Sequence, residues 1–221
     1  MYRISYRPLL FCLACSVASN ALAQWYSFKS TAMTTKLSLE LWHESATDAE
    51  QISQQVFAVF DRVDAQMSSY KPDSELSRVN NALENAETRI SSALFKVLNR
   101  AIDISKRSGG AFDVSFGSVG YLYDYRAGRQ PDAQALEALR SRVNFRNIKL
   151  DSSQRTVQLT MPQMRLDLGG IAKGYAVDLG IDVLKIKGVK HASLSAGGDM
   201  RLLGDKRGKP WLVAVKDPRS E

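Results

Sequence analysis

The sequence predicts an α+β fold, a mixed sheet packed with helices, and three observations carry that expectation. Residues 35–42 alternate Leu37, Leu39 and Leu41 with Ser38, Glu40 and Trp42, the period of a half-buried strand. Directly afterwards, Ile52, Val56, Val59, Phe60, Val63 and Met67 recur at helical spacing. The last part, residues 191–216, breaks into short apolar runs separated by glycine-rich turns. Strand, long helices and then short strands in one chain point to helices covering a sheet.

The first 23 residues read as an export signal. Arg3 and Arg7 form a short basic region, an apolar run covers 8–18, and Ala21-Leu22-Ala23 precedes Gln24. The apolar run is shorter than the roughly 20 residues of a spanning helix, which weighs against a membrane anchor. Residues 24–221 are then expected as the exported domain. Thr47-Asp48-Ala49-Glu50 is a capping-box pattern that starts a helix of about five turns. A polar loop, SSYKPDSELSRVN, follows, and Leu94, Leu98, Ala101 and Ile102 mark a second helix ending at Lys106-Arg107-Ser108-Gly109-Gly110. A shorter helix is expected over 131–142, and strands over 147–150 and 156–159 around the turn Asp151-Ser152-Ser153-Gln154. Leu166 and Leu168 read as a strand running into Gly169 and Gly170. Tyr175, Leu179 and Val183 then repeat every four residues as a helix over 171–184. Three short strands, 191–194, 200–203 and 211–216, are expected last. A strand so close to Glu221 leaves a sheet edge open, an expectation that this sequence is incomplete at its C-terminus.

Composition removes several function classes. Cys12 and Cys15 both lie in the signal, so residues 24–221 offer no disulfide, thiolate–zinc site or cysteine nucleophile. Lipidation at Cys15 fits poorly, because cysteine stands three positions before the acceptor. The chain carries a formal charge of +7, two of it on Arg3 and Arg7, with no run of basic residues longer than two. Export and scattered charge argue against nucleic acid and leave a basic surface or a phosphate-bearing small ligand. His43 and His191 are the only histidines. They rule out a histidine-rich metal site, and no GxSxG or HExxH motif occurs. A hard cation held by oxygen ligands stays open.

Four stretches have the chemistry for a site. Tyr70, in MSSYKPDSELS, either stacks on a purine-like ring beside Lys71 or closes the preceding helix. In GGAFDVSFG, Asp113 either accepts hydrogen bonds from a ligand or faces solvent after a helix end. In LDLGGIAKGYAVD, Asp167 precedes two glycines and Lys173 stands one turn into a helix, facing either solvent or an anion. SAGGD, at 195–199, is either a backbone-exposing turn at a site or a plain hairpin.

Taken together and in order, SSYKPDSELSRVN, GGAFDVSFG, LDLGGIAKGYAVD, SAGGDMRLLG and KPWLVAVKDP resemble the flavin transferase family once called thiamine-biosynthesis lipoproteins, the FAD:protein FMN transferases. The resemblance runs from about Met33 to Glu221. It implies the flavin transferase, T-fold-like architecture, and an exported periplasmic enzyme with peripheral association with the inner membrane. That enzyme uses Mg²⁺ and moves FMN from FAD to a threonine hydroxyl of an acceptor flavoprotein through a phosphoester, releasing AMP. It further implies that Met33 and Tyr70 lie against FAD, with Tyr70 on the adenine. Ala111, Phe112 and Asp113 form another part of the nucleotide site, Asp167 and Lys173 contact FAD, and the Gly170 carbonyl helps hold the metal. Two departures stand out. Val114-Ser115-Phe116-Gly117-Ser118-Val119 replaces the family's proline and threonine after FD and its GPLV-like continuation. The histidine-containing stretch and the later metal-ligating aspartate and threonine do not occur before Glu221. The catalytic groups are therefore expected outside this sequence and the chain itself as a fragment of impaired activity. A non-catalytic FAD-binding exported protein is the alternative.

Overall fold

The computed structural model describes residues 23–124 and 127–214. The expected signal, with Cys12 and Cys15, lies outside the described residues apart from Ala23. An antiparallel hairpin opens the fold, pairing β1 (Gln24–Ala32) with β2 (Thr35–His43) across all nine residues of each strand. Its two-residue turn is Met33 and Thr34, both with positive φ, 51° and 57°. The register then continues from β2 to β6 (Ala192–Ala196) and on to β7 (Asp199–Leu203). The sheet order is β1-β2-β6-β7. SAGGD is the β6–β7 hairpin, with Gly197 and Gly198 as its turn.

Leu37, Leu39 and Leu41 of β2 are fully buried, as the alternation requires, and with Ala192, Leu194 and Ala196 of β6 they make the inner face. Two helices cover it: α1 (Ala46–Met67), through Val56, Val59, Phe60 and Val63, and α6 (Ala172–Ile186), through Ala176, Val177, Ile181 and Leu184. Burying this face is the main stabilising term of the fold.

Between them lie α2 (Glu75–Asn80), β3 (Thr88–Arg89), α3 (Ser92–Arg107), α4 (Gly117–Gly120), α5 (Ala133–Arg140), β4 (Ile148–Asp151) and β5 (Thr156–Leu159). A second sheet, of order β3-β5-β4, is also antiparallel, so the expected mixed sheet resolves into two antiparallel ones.

Several boundaries differ from expectation for identifiable reasons. The α1 cap is Ser45, whose hydroxyl accepts from the Asp48 amide, so Thr47 lies inside the helix instead of capping it. The polar loop contains α2, because Ser74 caps it by accepting from Ser77 N while its own hydroxyl donates to the Ser68 carbonyl. Trp211 to Ala214 form no strand. Trp211 instead sets its ring edge-on to Trp25, 5.5 Å away, and its indole N–H donates to the Gly204 carbonyl. The rest of the expected 211–216 strand lies outside the described residues.

Candidate functional site

Leu166 and Leu168 are extended and buried, but they belong to no strand. Side chains and a distant loop satisfy the backbone here in place of a ladder. The Asn80 amide clasps Leu166, donating to its carbonyl at 2.9 Å and accepting from its N–H at 2.7 Å. The buried Ser118 hydroxyl accepts from Arg165 N at 3.0 Å and reaches its carbonyl at 3.3 Å, and Asp167 N donates to the Val114 carbonyl. With both leucines facing the core, the intervening Asp167 faces the other way.

That orientation organises the corner. Asp167 Oδ2 accepts from Ser69 Oγ at 2.8 Å and Oδ1 from Gly169 N at 2.8 Å. Lys173 Nζ donates back to the Gly169 carbonyl at 3.0 Å. No side chain caps the first turn of α6, so its N-terminus opens onto Gly169 and Gly170. Amide donors and the helix dipole there favour an anion.

Three cavities meet at this corner. The smallest, about 170 Å³, is bounded by Met33, Met67, Tyr70, Asp167 and Lys173. A larger one of about 520 Å³ shares Tyr70 and Asp167 and adds Gly170, Phe116, Tyr121, Tyr123 and Arg165. On the other side of Gly170 a space of about 470 Å³ is lined by Lys96, Arg100, Tyr175, Asp199 and Arg201. Burial raises the Tyr175 phenol above the usual tyrosine range, and the Asp178 carboxylate holds Arg201 more firmly protonated through a 2.6 Å hydrogen bond.

Met33, Tyr70, Asp167 and Lys173, drawn from hairpin tip, helix end, extended segment and helix start, thus surround one small cavity. Tyr70 is 85% exposed, which removes the reading in which it closes the end of α1. Phe112 reaches the same corner, since a Cβ on Gly170 would sit 3.1 Å from its ring. Asp113 is otherwise engaged: Oδ1 accepts from Ser115 N and Oγ, and Oδ2 from Phe145 N at 2.8 Å. Its carboxylate fixes the turn Val114–Phe116 instead of facing solvent. Ala111 is exposed, and neither it nor Asp113 lines these three cavities. His43 and His191 both serve local turns, at Ser45 and Asp205.

Sequence reasoning missed Asn80, Ser118, Tyr121, Tyr123 and Arg165. Asn80, Phe116 and Ser118 lay in quoted stretches without a role, as did Ser69 beside Tyr70. Among the described residues no group of three or more His, Cys, Asp or Glu side chains is placed to hold a metal ion. The Gly170 backbone and the Asp199 carboxylate do share a cavity.

The fold is that of the solved flavin transferases. The solved flavin transferase ApbE from Vibrio cholerae superposes with a TM-score of 0.81 at 27% identity, over 89% of this chain and 65% of that one. The ApbE protein from Thermotoga maritima gives 0.80 at 26% identity, with 89% and 65% covered. The ApbE family model matches residues 33–221, and the chain belongs to that family. Among curated relatives, the FAD:protein FMN transferase of Haemophilus influenzae is 35% identical over 178 residues, 77% of this chain and 51% of that protein. The enzyme of that name from Vibrio cholerae is 30% identical over 176 residues, 77% of this chain and 52% of its own length. The chain spans about half the length of these curated relatives.

Proposed function

We propose that the chain acts in an FAD:protein FMN transferase and carries the part of the site that holds FAD. The gathering of Tyr70, Met33, Asp167 and Lys173 around one cavity at the open N-terminus of α6 carries this reading. The relatives named above are FAD:protein FMN transferases, which supports it further. In this reading Tyr70 stacks on the adenine and Lys173 turns from the Gly169 carbonyl to a phosphate oxygen. Asp167, fixed by Ser69 and Gly169 N, accepts from ligand N–H or O–H groups. Phe112 closes the corner beside Gly170. The uncapped turn of α6 offers its dipole to the pyrophosphate.

The reaction joins the acceptor's threonine oxygen to the FMN phosphorus, breaks the bridging P–O bond and releases AMP, the hydroxyl proton going to solvent. Such transfers depend on positioning and charge neutralisation. Mg²⁺, where bound, neutralises the pyrophosphate and polarises its oxygens. The described donors on that cavity, the Gly170 carbonyl, the Asp199 carboxylate and an Asp178 carboxylate already bound to Arg201, do not by themselves make a Mg²⁺ site, and no step is assigned to the ion. Export to the periplasm, peripheral contact with the inner membrane and an acceptor flavoprotein belong to the same proposal. They rest on the reading of residues 1–23 and on the family.

Titrating the chain with FAD tests the reading directly, with covalent flavin fluorescence on an acceptor domain after incubation with Mg²⁺ as the second measurement. Saturable FAD binding is the expected result. A chain that folds and binds neither FAD nor ADP overturns the proposal.

A further inference from the structure

The outer face of the four-stranded sheet has no part in the reading so far. Leu37, Leu39 and Leu41 point inward, so Glu40 and Trp42 point outward, with Trp25 opposite Trp42 and with Met200 and Leu202 of β7 on the same face. At the end where β1 begins, Trp25 meets Trp42 and Trp211 edge-on, each pair with centroids 5.5 Å apart. A basic loop, 205–209, is laid over these rings. Lys206 Nζ lies 5.5 Å from the Trp25 ring and 5.4 Å from Trp211, and the Arg207 guanidinium 5.0 Å from Trp42. The loop is pinned in place: a Cβ on Gly204 would collide with the Lys190 carbonyl, His191 Nδ1 donates to the Asp205 carbonyl, and Lys206 pairs with Glu40 at 3.3 Å. From Lys209 to Ala214 the chain encloses, with Ser193, Met200 and Leu202, a hollow of about 480 Å³, while Leu212 is 92% exposed and Val213 59%. Three tryptophans, the cations Lys206, Arg207 and Lys209 and bare aliphatic side chains thus share one small surface, and its two carboxylates, Glu40 and Asp205, are engaged by Lys206 and His191.

We propose that this surface docks on an anionic lipid bilayer, with Trp211 and Leu212 entering the headgroup boundary and Arg207 and Lys209 meeting the lipid phosphates. The inference rests on the reading of the chain as an exported protein in peripheral contact with the inner membrane, and it names the surface that makes the contact. Composition favours lipid over a protein partner. Tryptophan and basic residues around exposed aliphatic groups suit the boundary between water and lipid, whereas lysine is depleted in protein interfaces. Position agrees. The apolar run over 8–18 joins the fold through Ala23, two residues before Trp25, and from residue 18 to Trp25 the chain spans at most about 25 Å. A bilayer that holds this run during export therefore meets the tryptophan end of the sheet first. Met33, beside the small cavity, stands at the other end of the nine-residue hairpin, roughly 25 Å away, and stays clear of the lipid. Once residues 1–23 are removed, the patch alone supplies the contact.

The experiment uses residues 24–221, the exported form, which holds both sheets and their core. The protein is sedimented with vesicles of phosphatidylethanolamine and phosphatidylglycerol, and with vesicles of phosphatidylcholine alone. Wild type should bind the anionic vesicles and leave them as salt rises. Arg207→Gln and Lys209→Gln should each weaken that binding roughly fivefold. Leu212→Asp should weaken it roughly tenfold or more. Leu83→Asp changes another bare leucine, 85% exposed and outside the patch, and should bind like wild type. All four variants should keep their FAD affinity, which shows that they are folded, because none of these residues lines the cavities at Asp167. Wild-type protein that sediments with neither vesicle, or equally with both, overturns the proposal, as do patch variants that bind like wild type. Leu212→Asp that splits a dimer on gel filtration while vesicle binding stays intact also overturns it, since the patch is then an interface between copies. FAD binding without vesicle binding removes this inference and leaves the FAD reading standing; vesicle binding without FAD binding does the reverse.

Discussion

Asn80 is the residue whose loss should best show how the site is held. Its side-chain amide makes both hydrogen bonds to the Leu166 backbone, at 2.7 and 2.9 Å, and Leu166 is fully buried. In Asn80→Ala one backbone donor and one acceptor lose their partner. Leaving a buried polar group unsatisfied costs about 1–3 kcal/mol. Asn80 itself is half-buried and lines the 520 Å³ cavity, so water can replace part of what is lost. The net destabilisation should be about 2 kcal/mol, or a melting temperature lower by roughly 4–8 °C for a domain of this size. FAD affinity should also fall severalfold, because Asp167 is the next residue along the loosened segment. Asn80→Asp should be no better, since it keeps the acceptor for Leu166 N but sets an oxygen against the Leu166 carbonyl. Thermal melts and FAD titrations of both variants supply the test. An Asn80→Ala protein that melts within about 1 °C of wild type would mean that the extended segment is held by its buried leucines and not by the amide clasp.

Other consequences can be measured in the same way. Tyr70→Ala should weaken FAD binding by about 1–3 kcal/mol while leaving the melting temperature almost unchanged, because the ring is 85% exposed; unchanged affinity would take Tyr70 out of the site. Lys173→Gln should lower FAD affinity and flatten its dependence on ionic strength, with stability near wild type, since the ammonium contacts only the exposed Gly169 corner in this structure; an identical salt slope would count against a phosphate contact. Gly117→Ala should destabilise by about 1–3 kcal/mol, because the atoms met at 2.7–2.8 Å are backbone and cannot rotate away; a wild-type urea midpoint would refute that close approach. In the β4–β5 turn, the Ser153 hydroxyl and the amides of Gln154 and Ser153 pull the Asp151 carboxyl below its usual range. A depressed folded value means that its stabilisation is complete above the ordinary aspartate pKa of about 3.9 and is lost as the pH falls through the lower folded value. Protection factors of the Ser153 and Gln154 amides, corrected for the slower intrinsic exchange in acid, should therefore fall on acidification below about pH 4, and pH-independent protection factors there would exclude it.

What could be read from the sequence depended on whether a segment's partners were local. β2, α1, α3 and the β4–β5 hairpin follow from period and turn chemistry, and each formed within a residue or two of expectation. β1 gave no such signal. Its residues are mostly half-exposed, and it pairs only because β2 presents an edge. Leu166 and Leu168 gave a misleading one: the alternation is real, but Asn80, 86 residues earlier, stands where a neighbouring strand would be. The site divides in the same way. Tyr70, Asp167 and Lys173 lie in recognisable motifs, whereas the Ser69 bond to Asp167 bridges 98 residues and has no local signature. Asp113 shows the converse, a motif aspartate whose carboxylate serves its own turn.

The tip of the first hairpin links the fold to the site through strain. A two-residue turn between right-twisted strands needs positive φ at both positions, a geometry that favours Asn-Gly. Here Met33 and Thr34 occupy it, and a β-branched threonine in that region is especially unfavourable. Holding two such residues left-handed costs about 1–2 kcal/mol each. It persists because nine strand pairs fix the register and leave only two residues to reverse the chain. Glycine in place of Met33 would relieve that strain but remove the side chain that closes the small cavity opposite Lys173. A costly residue kept at a tight turn, on the wall of the cavity where Tyr70 and Asp167 meet, is better explained by a ligand than by folding. Met33→Gly should therefore stabilise the chain or leave its melting temperature unchanged while weakening FAD binding. Loss of stability together with full FAD affinity would place the role of Met33 in the hairpin alone.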